Sequence, residues 1–455
     1  MKNQIKEEAQ DIGNALRRIR TRNFSGTAGQ VVKNSTYQLA TNLTFKFGSM
    51  AFTIILARML GVELFGLYTL ALSTIVLFSA FSSFGIGSTL ITFVSKSLLK
   101  NNPQKAKSYV KGLLKYKLYL TTTCSLFLIF CAYFLANNYY QKPIFYALLA
   151  GALYIPASSL VSFLATIFQS DNNFKTPMIE EIIFQILRLT IIPIGILFLL
   201  KTSASNATII TIIILITALC HFVGLVYLKI ATKKEINFLK GSAEPLTKNE
   251  VKDVKKFIFP LVLTSLSGMF YGYIDTIMLG HYIPDASYIG LYGVALGLIG
   301  SAGALISFLP SVILPTFSRM KGESLEHIFS KVRKFTLLIG VSAAIFTYLI
   351  AKYILMLYGP DFAQATIILQ ILSIMLILAP VAGVYDAYFT SIKKTELIAK
   401  LLIISTIVNV ILNIVLIKYG LQFGMMQAVL GACLASIFSR AVYLGGFLIA
   451  KKSIG

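Results

Sequence analysis

The chain alternates long apolar runs with short polar breaks. Most runs extend for about 20 residues or more and lack the strict in-and-out alternation of barrel strands, so they indicate membrane-spanning helices. The pattern therefore predicts an all-α, polytopic membrane protein with about twelve transmembrane helices, at approximately 35–58, 67–94, 113–136, 143–168, 178–200, 207–229, 257–280, 289–314, 334–357, 365–390, 398–417 and 424–447.

The polar breaks themselves repeat about 220 residues apart. Leu60-Gly61 and Gly66-Leu67-Tyr68 in the first half correspond to Leu279-Gly280 and Gly290-Leu291-Tyr292 in the second. Such repetition is typical of transporters built from two similar bundles. We expect two six-helix lobes. Because each lobe holds an even number of spans, the axis that relates the lobes should run along the membrane normal.

This organisation divides the chain into five parts. We expect a cytoplasmic, basic, amphipathic N-terminus at 1–34, a first lobe at 35–229, a cytoplasmic inter-lobe linker at 230–256, a second lobe at 257–450 and a cytoplasmic C-terminus at 451–455. Apolar and basic residues over 3–20 have helical spacing, which is typical of a helix lying on a membrane surface. A solvated tail that only fixes the orientation of the chain is the alternative.

Composition excludes a soluble protein and changes the meaning of the charge. Of 455 residues, 56% are hydrophobic and 13% are charged, and the net charge is +23. In a soluble chain that charge would suggest a nucleic-acid partner, but here the lysines and arginines cluster in alternate connections between the spans. We therefore expect a multi-pass protein of the inner (cytoplasmic) membrane, with both termini cytoplasmic, basic loops beside phospholipid headgroups and no nucleic-acid partner.

The first polar break carries a resemblance to a known family. The signature after the first span of Wzx-type polysaccharide and O-antigen flippases resembles the segment Leu56-Ala57-Arg58-Met59-Leu60-Gly61-Val62-Glu63-Leu64-Phe65-Gly66-Leu67-Tyr68. A second motif of that family is similar to Phe84-Gly85-Ile86-Gly87. These flippases belong to the multidrug/oligosaccharidyl-lipid/polysaccharide (MOP) exporter superfamily. The resemblance extends to chain length, the twelve spans and the two repeats.

The resemblance implies a MATE-like fold, in which two six-helix lobes open a central cavity alternately to the two sides of the membrane. The cargo would be an undecaprenyl pyrophosphate-linked oligosaccharide for O-antigen, capsule or exopolysaccharide synthesis. The polymerase and chain-length regulator of such a pathway would be partners. An ion-coupled multidrug or cation antiporter of the same superfamily is the alternative, and a membrane-embedded glycan polymerase or ligase is less favoured.

Lys46 lies near the middle of the first predicted span. With Asn42, Ser49 and Thr53 it forms a polar stripe at helical spacing. A charge at that depth costs on the order of 3 kcal/mol, so it should face a cavity or a partner. We expect Lys46, with Asn42 and Thr53, to bind the anionic cargo. A lysine satisfied by a neighbouring helix is the alternative.

Arg58 and Asp275 are expected at nearly equal depth, close to the outer ends of the first and seventh spans. A pair between them would join the two lobes and close the outer mouth of the cavity. Alternatively, both groups are solvated or extend to the membrane surface. The sequence thus predicts an outer gate and leaves its chemistry open.

Five further charges lie within or beside spans. Glu181 and Arg188 share a face of the fifth span, and an ordinary salt bridge is favoured over a proton relay. Asp386, Lys400 and Arg440 lie near the inner ends of the last three spans. We expect these three to pair with one another or to line the inner entrance of the cavity.

The sequence contains no nucleotide-binding loop, no paired catalytic carboxylates in a soluble domain and no metal-ligand spacing. We therefore expect a protein that is not an enzyme, with no cofactor and no bound metal. Energy for transport would come from an ion gradient, the membrane potential or consumption of the product. Asp275, Glu181 and Asp386 are candidate proton carriers.

Overall fold

The computed structural model describes residues 26–306, 313, 317–318, 320 and 322–453, and the regular structure within them is helical. The predicted surface helix over 3–20 lies outside these residues. Short π-helical and 3-10 segments occur at Phe134–Tyr139, Asn237–Leu239 and Pro360–Ala365. The α-helices are α1 (Gly26–Ala80), α2 (Ile86–Leu99), α3 (Pro103–Tyr133), α4 (Phe145–Ser170), α5 (Lys175–Lys201), α6 (Asn206–Glu235), α7 (Lys248–Tyr282), α8 (Ala286–Ile306), α9 (Gly322–Met356), α10 (Thr366–Leu372), α11 (Met375–Ser391), α12 (Thr395–Leu421) and α13 (Met425–Lys452).

The helices confirm the all-α membrane class. Within the described residues, ten helices are long and apolar enough to cross a membrane, and the pair Pro360–Leu372 and Met375–Ser391, bent by 41°, supplies an eleventh span. The first of the ten is divided at Gly61, where φ is 70° and ψ is 178°. Counting the segments on either side of Gly61 separately gives twelve spans, the number that the hydrophobic pattern predicts.

The prediction of one continuous second span over 67–94 is wrong. Helix α1 ends at Ala80 and α2 begins at Ile86, with a turn between them. Within that turn Phe84 has φ 30° and Gly85 has φ 69°, so the backbone enters the left-handed region twice in succession. Two such residues cannot continue a right-handed helix. The span is therefore broken partway along its length.

The predicted linker over 230–256 is also mostly helical. Helix α6 continues to Glu235 and α7 begins at Lys248. A capping box starts α7: the Glu250 backbone N–H donates to Thr247 Oγ1 (3.3 Å), and the Thr247 N–H donates to the Glu250 carboxylate (2.9 Å). The linker's lysines and glutamates thus lie largely on helix ends.

The two ends of the bundle differ in charge. We call the end that carries the turns 100–102, 171–174, 236–247 and 392–394 the basic end. It holds the ion pairs present in the described residues, among them Lys105–Glu250 at 2.7 Å and Lys451–Glu326 at 2.6 Å. We call the other end, with the turns 140–144, 202–205, 283–285 and 422–424, the far end. Alternate connections therefore meet at the same end, as the charge pattern predicts.

The repeated Gly-Leu-Tyr segments pack against each other at the far end, where the first lobe (α1–α6) meets the second (α7–α13). A Cβ added to Gly66 would lie 1.9 Å from the carbonyl oxygen of Ala286, and one added to Gly290 would lie 2.3 Å from that of Val62. Backbones can approach this closely only where no side chain intervenes. The far end is thus closed by direct contact between helices of the two lobes.

We predict that Gly290→Ala forces the lobes apart at the far end, because its methyl group would overlap the Val62 backbone. Gly297→Ala is the matched control: it lies on the same helix, and a Cβ there meets nothing within 4 Å. The measurement is the EPR distance between spin labels on unnatural amino acids at Thr202 and Gln422, which are exposed at the far end of each lobe. The distance should lengthen in Gly290→Ala only. Identical distances in the two variants would contradict this account of closure.

Candidate functional site

Cations of the first lobe bind carbonyl groups of the second lobe at the far end. Arg58 is exposed, and its Nε donates to the carbonyl oxygen of Leu357 at 2.7 Å. Leu357 directly follows α9, so its carbonyl lies among the groups that have no partner within the helix. The negative end of the helix dipole favours a cation at this position. Arg58 therefore does join the lobes, through a helix terminus.

Lys142 makes a second contact of this kind and is almost completely buried. Its ammonium donates to the carbonyl oxygens of Gly280 and Ile283, both at 2.8 Å, and to that of Tyr140 at 3.2 Å. Burial lowers the pKa of Lys142 to about 8, which leaves the ammonium charged at neutral pH. Beside it His281 Nδ1 lies 2.7 Å from the Tyr139 carbonyl oxygen. The C-terminus of α7 is thus capped by a residue of the other lobe.

The predicted pair between Arg58 and Asp275 is wrong. Asp275 is 3% exposed and lies inside the second lobe. Its carboxylate accepts hydrogen bonds from the Tyr292 hydroxyl (2.8 Å), from Asn413 Nδ2 (2.6 Å) and from the Ser436 hydroxyl. Depth was predicted from the sequence, but this face of α7 points into its own lobe, where neutral donors satisfy the carboxylate.

The surroundings of Asp275 leave two buried acceptors without a donor. Asn409 Oδ1 and Asn413 Oδ1 have no hydrogen-bond partner, although both side chains are fully buried. In the part of the chain that the structure describes, no lysine or arginine lies within 4 Å of the Asp275 carboxylate. A carboxylate with spare amide oxygens inside a membrane bundle can hold a proton or a monovalent cation.

The first lobe holds a cationic counterpart. Arg188 Nη2 donates to Gln185 Oε1 (2.8 Å) and to the Ser49 hydroxyl (3.1 Å), and its guanidinium lies 4.3 Å from the centre of the Phe52 ring. The predicted salt bridge with Glu181 is not direct, because the Gln185 amide stands between them and donates to Glu181 at 2.6 Å. The buried Nε of Arg188 has no partner.

Each of these two centres lies near a tyrosine of the repeated Gly-Leu-Tyr segment. Tyr292 of the second Gly-Leu-Tyr segment donates to Asp275. Its counterpart Tyr68, in the first segment, lies within electrostatic range of Arg188. The same repeated tyrosine thus accompanies an anion in one lobe and a cation in the other. The lobes share a fold, but the charges beside the repeated tyrosine are opposite.

Lys46 lines a cavity of about 300 Å³ between α1, α8 and α9. Its ammonium lies 5.4 Å from the centre of the Phe45 ring and, within the described residues, has no carboxylate within 4 Å. Asn42 and Thr53, predicted to share the polar stripe, do not line this cavity. Asn42 is exposed, and the Thr53 hydroxyl donates to the Met50 carbonyl at 2.9 Å. A cavity-facing Lys46 agrees with the expected geometry, while its role in binding stays a prediction.

Asp386, Lys400 and Arg440 do not pair with one another. Asp386 accepts a hydrogen bond from the Tyr443 hydroxyl at 2.7 Å. The Arg440 guanidinium lies 4.5 Å from the centre of the Tyr271 ring. Lys400 lines a cavity of about 930 Å³ that opens at the basic end between α2, α7 and α12. Lys400 is therefore the member of the group that lies at an entrance between the lobes.

Three cavities share an electrostatic character. Besides the Lys46 cavity, one of about 430 Å³ is lined by Lys255 and one of about 210 Å³ by Lys117, and none of the three has a carboxylate in its wall. The larger cavity at the basic end contains both signs, with Asp253 and Glu396 beside its lysines. Sequence reasoning missed Lys117 and the role of Lys142. The one available signal for Lys142 was a lone lysine in a far-end turn that otherwise lacks charge.

Two family models match the chain. The model described as "Polysaccharide biosynthesis protein" covers residues 31–321, and the model described as "MatE" covers residues 260–415. Among curated proteins, "Stage V sporulation protein B" of Bacillus subtilis (strain 168) is 23% identical over 168 residues. That match covers 36% of this chain and 32% of the relative, so it spans about a third of the relative's length.

Solved structures share the architecture over nearly the whole chain. An inward-facing multidrug resistance MATE family transporter of the MOP superfamily aligns with a TM-score of 0.69 and 15% identity, covering 90% of this chain and 94% of its own. The lipid II flippase MurJ in an inward closed conformation aligns with a TM-score of 0.68 and 16% identity, covering 92% and 87%. At these identities the likeness shows the fold alone.

We predict that Asp275→Asn destabilises the second lobe and removes its response to monovalent cations. In this variant an NH2 group replaces one carboxylate oxygen and faces hydroxyl and amide donors, with no acceptor to bind. We expect this to lower the free energy of unfolding by about 1–3 kcal/mol. The measurement is the midpoint of thermal unfolding in sodium chloride and in choline chloride at several pH values, with Asp253→Asn, an exposed position, as the control. An unchanged midpoint and an unchanged ion or pH response in Asp275→Asn would rule out a cation or proton site here.

Proposed function

The chain belongs to the polysaccharide biosynthesis protein family of the MOP superfamily, and on that premise we propose that it is a flippase for a lipid-linked oligosaccharide. The cargo would be a polyprenyl pyrophosphate-linked repeat unit for O-antigen, capsule or exopolysaccharide synthesis. The observation that carries this proposal is the set of lysine-lined cavities without a carboxylate. Such walls favour an anionic headgroup and disfavour a cation.

The antiporter alternative has less support. A site for a cationic drug would require carboxylates facing the cavity between the lobes, as charge complementarity demands. Asp275, the buried carboxylate of the second lobe, instead points into its own bundle and is 3% exposed. The larger cavity at the basic end holds Asp253 and Glu396, but Lys256 and Lys400 accompany them. A polymerase or ligase is disfavoured as well, because far-end turns such as 202–205 and 283–285 are short.

The lobe arrangement supports transport by alternating access. The far end is closed by the Gly66 and Gly290 contact and by Arg58 and Lys142, while a cavity of about 930 Å³ opens at the basic end. We place the basic end, with both termini, in the cytoplasm of a cell whose inner membrane the chain spans. The headgroup would enter there, and separation of the lobes at the far end would release it outside.

Asp275 is our candidate for energy coupling. Binding of a proton or monovalent cation would change the charge of Asp275, the one buried carboxylate among α7, α8, α12 and α13 in the described part of the chain. Helix α7 also carries the carbonyl groups that Lys142 caps. One helix therefore links the buried carboxylate to the far-end contact. An ion that alters the position of α7 would shift the balance between the two lobe arrangements.

We expect this gene to restore surface glycan in a flippase-null strain that makes a defined lipid-linked repeat unit. Gly290→Ala should restore less than about a tenth of the wild-type level, since it disturbs lobe closure, whereas Gly297→Ala should restore it fully. The measurement is surface glycan per cell at matched membrane expression. A parallel test of growth in cationic drugs separates the alternatives. Drug resistance without any glycan, across repeat units of several structures, would replace the flippase by the antiporter.

A further inference from the structure

The break between α1 and α2 opens a polar pocket inside the membrane bundle. The pocket has a volume of about 210 Å³, large enough for several water molecules at roughly 30 Å³ each. Its walls come from the break itself and the start of α2, from α3 and α4, and from α7 of the second lobe. The polar side chains that line it are Ser83, Ser88, Lys117, Ser162, Thr166 and Ser265.

Lys117 gives this pocket its charge. The side chain is 3% exposed, and its ammonium donates to the Ser82 carbonyl oxygen at 3.0 Å and to the Ser83 hydroxyl at 3.1 Å. An ammonium has three donors, so these bonds leave one over. Within the described residues no carboxylate lies within 4 Å of it. The position is 14 residues beyond Pro103, about 21 Å along α3 from the basic end.

The start of α2 faces the same pocket and adds backbone donors. The N-cap residue Gly85 provides no side-chain hydrogen bond, and Gly87 and Ser88 line the pocket as first-turn residues. A Cβ on Gly87 would approach the Thr166 hydroxyl only to 3.8 Å, so this side of the helix is open. First-turn N–H groups and the positive end of a helix dipole favour anions, and phosphate in particular.

We propose that this pocket, which we call the break pocket, binds the phosphate groups of the lipid-linked cargo. Three independent features converge on that chemistry: an uncompensated buried ammonium, a helix start and a wall of hydroxyl groups. A phosphate group would supply the negative counter-charge that the Lys117 ammonium lacks, and it would accept hydrogen bonds from the remaining donors. The inference deepens the proposed function and rests on it for the identity of the lipid.

The position of the pocket also connects binding to lobe movement. Ser265 belongs to the second lobe, whereas the other polar side chains of the wall belong to the first. A relative motion of the lobes would therefore remove or reposition this one hydroxyl. The cavity around Lys46 offers a weaker site, because Ser301 and Thr347 are the other polar residues in its wall. The break pocket is thus the better place to hold a phosphate during the transition.

The test measures binding of inorganic pyrophosphate and of farnesyl diphosphate to the purified full chain. One saturable site is expected, and Lys117→Gln should weaken it by at least about tenfold, which corresponds to about 1.4 kcal/mol. Lys115→Gln is the matched control, because Lys115 is exposed on the same helix two residues away. Lys117→Arg should stay within a few-fold of wild type. The double variant Ser88→Ala, Ser162→Ala should weaken binding without removing the buried charge.

Several outcomes would overturn the proposal. They are absence of saturable binding to the wild type, equal affinities in Lys117→Gln and Lys115→Gln, and displacement of farnesyl diphosphate by phosphatidylglycerol vesicles at equal phosphate concentration. If Lys117→Gln elutes as an aggregate, the Ser88 and Ser162 double variant decides in its place. Full glycan export by a stable Lys117→Gln would defeat the break pocket and leave the flippase standing. Binding that depends on Lys117, in a protein that exports no glycan, would support the break pocket and contradict the flippase.

Discussion

The rest of the structure depends on one close contact, the crossing of α1 and α8 at Gly66 and Gly290. Without side chains at these positions, the backbones of the two lobes touch at the far end, so any substituent there must separate them. Arg58 and Lys142 reinforce the crossing by capping helix ends of the other lobe. Each bond uses a carbonyl group that water could satisfy instead. The contact can therefore be exchanged for solvent when the lobes part, which a transporter requires.

Charge is divided between the lobes in a way that fits the transport of an anion. The first lobe contains the buried or half-buried cations Lys46, Lys117 and Arg188 as well as the buried carboxylate of Glu180, and the second contains the buried carboxylate of Asp275. A buried charge without a counter-charge is unfavourable inside a membrane, so the three cations and Asp275 are better satisfied when a ligand is present. An anionic headgroup would satisfy the first lobe, and a proton or a cation the second. The two ligands would then bind to different lobes and influence each other through lobe position.

The sequence predicted the membrane class, the twelve spans and the alternation of basic ends, because hydropathy and charge report depth directly. It did not predict the break at Phe84 and Gly85: glycine permits a positive φ but does not require it, and the apolar run continues through this segment. Nor did it predict the partners of Asp275, because a one-dimensional pattern gives the depth of a residue but not which neighbouring helix it faces. Lys117 was missed for a related reason. It follows Lys111 and Lys115 so closely that it reads as the end of a basic loop.

In the proposed mechanism, a lipid diphosphate headgroup drives the lobes from one arrangement to the other. Two EPR distances measured in proteoliposomes test it together, Thr202 to Gln422 across the far end and Lys234 to Lys331 across the basic end, all exposed positions. On addition of a polyprenyl diphosphate-linked sugar, we expect the far-end distance to lengthen and the basic-end distance to shorten. Distances that stay fixed, or that change in the same sense, would contradict the account.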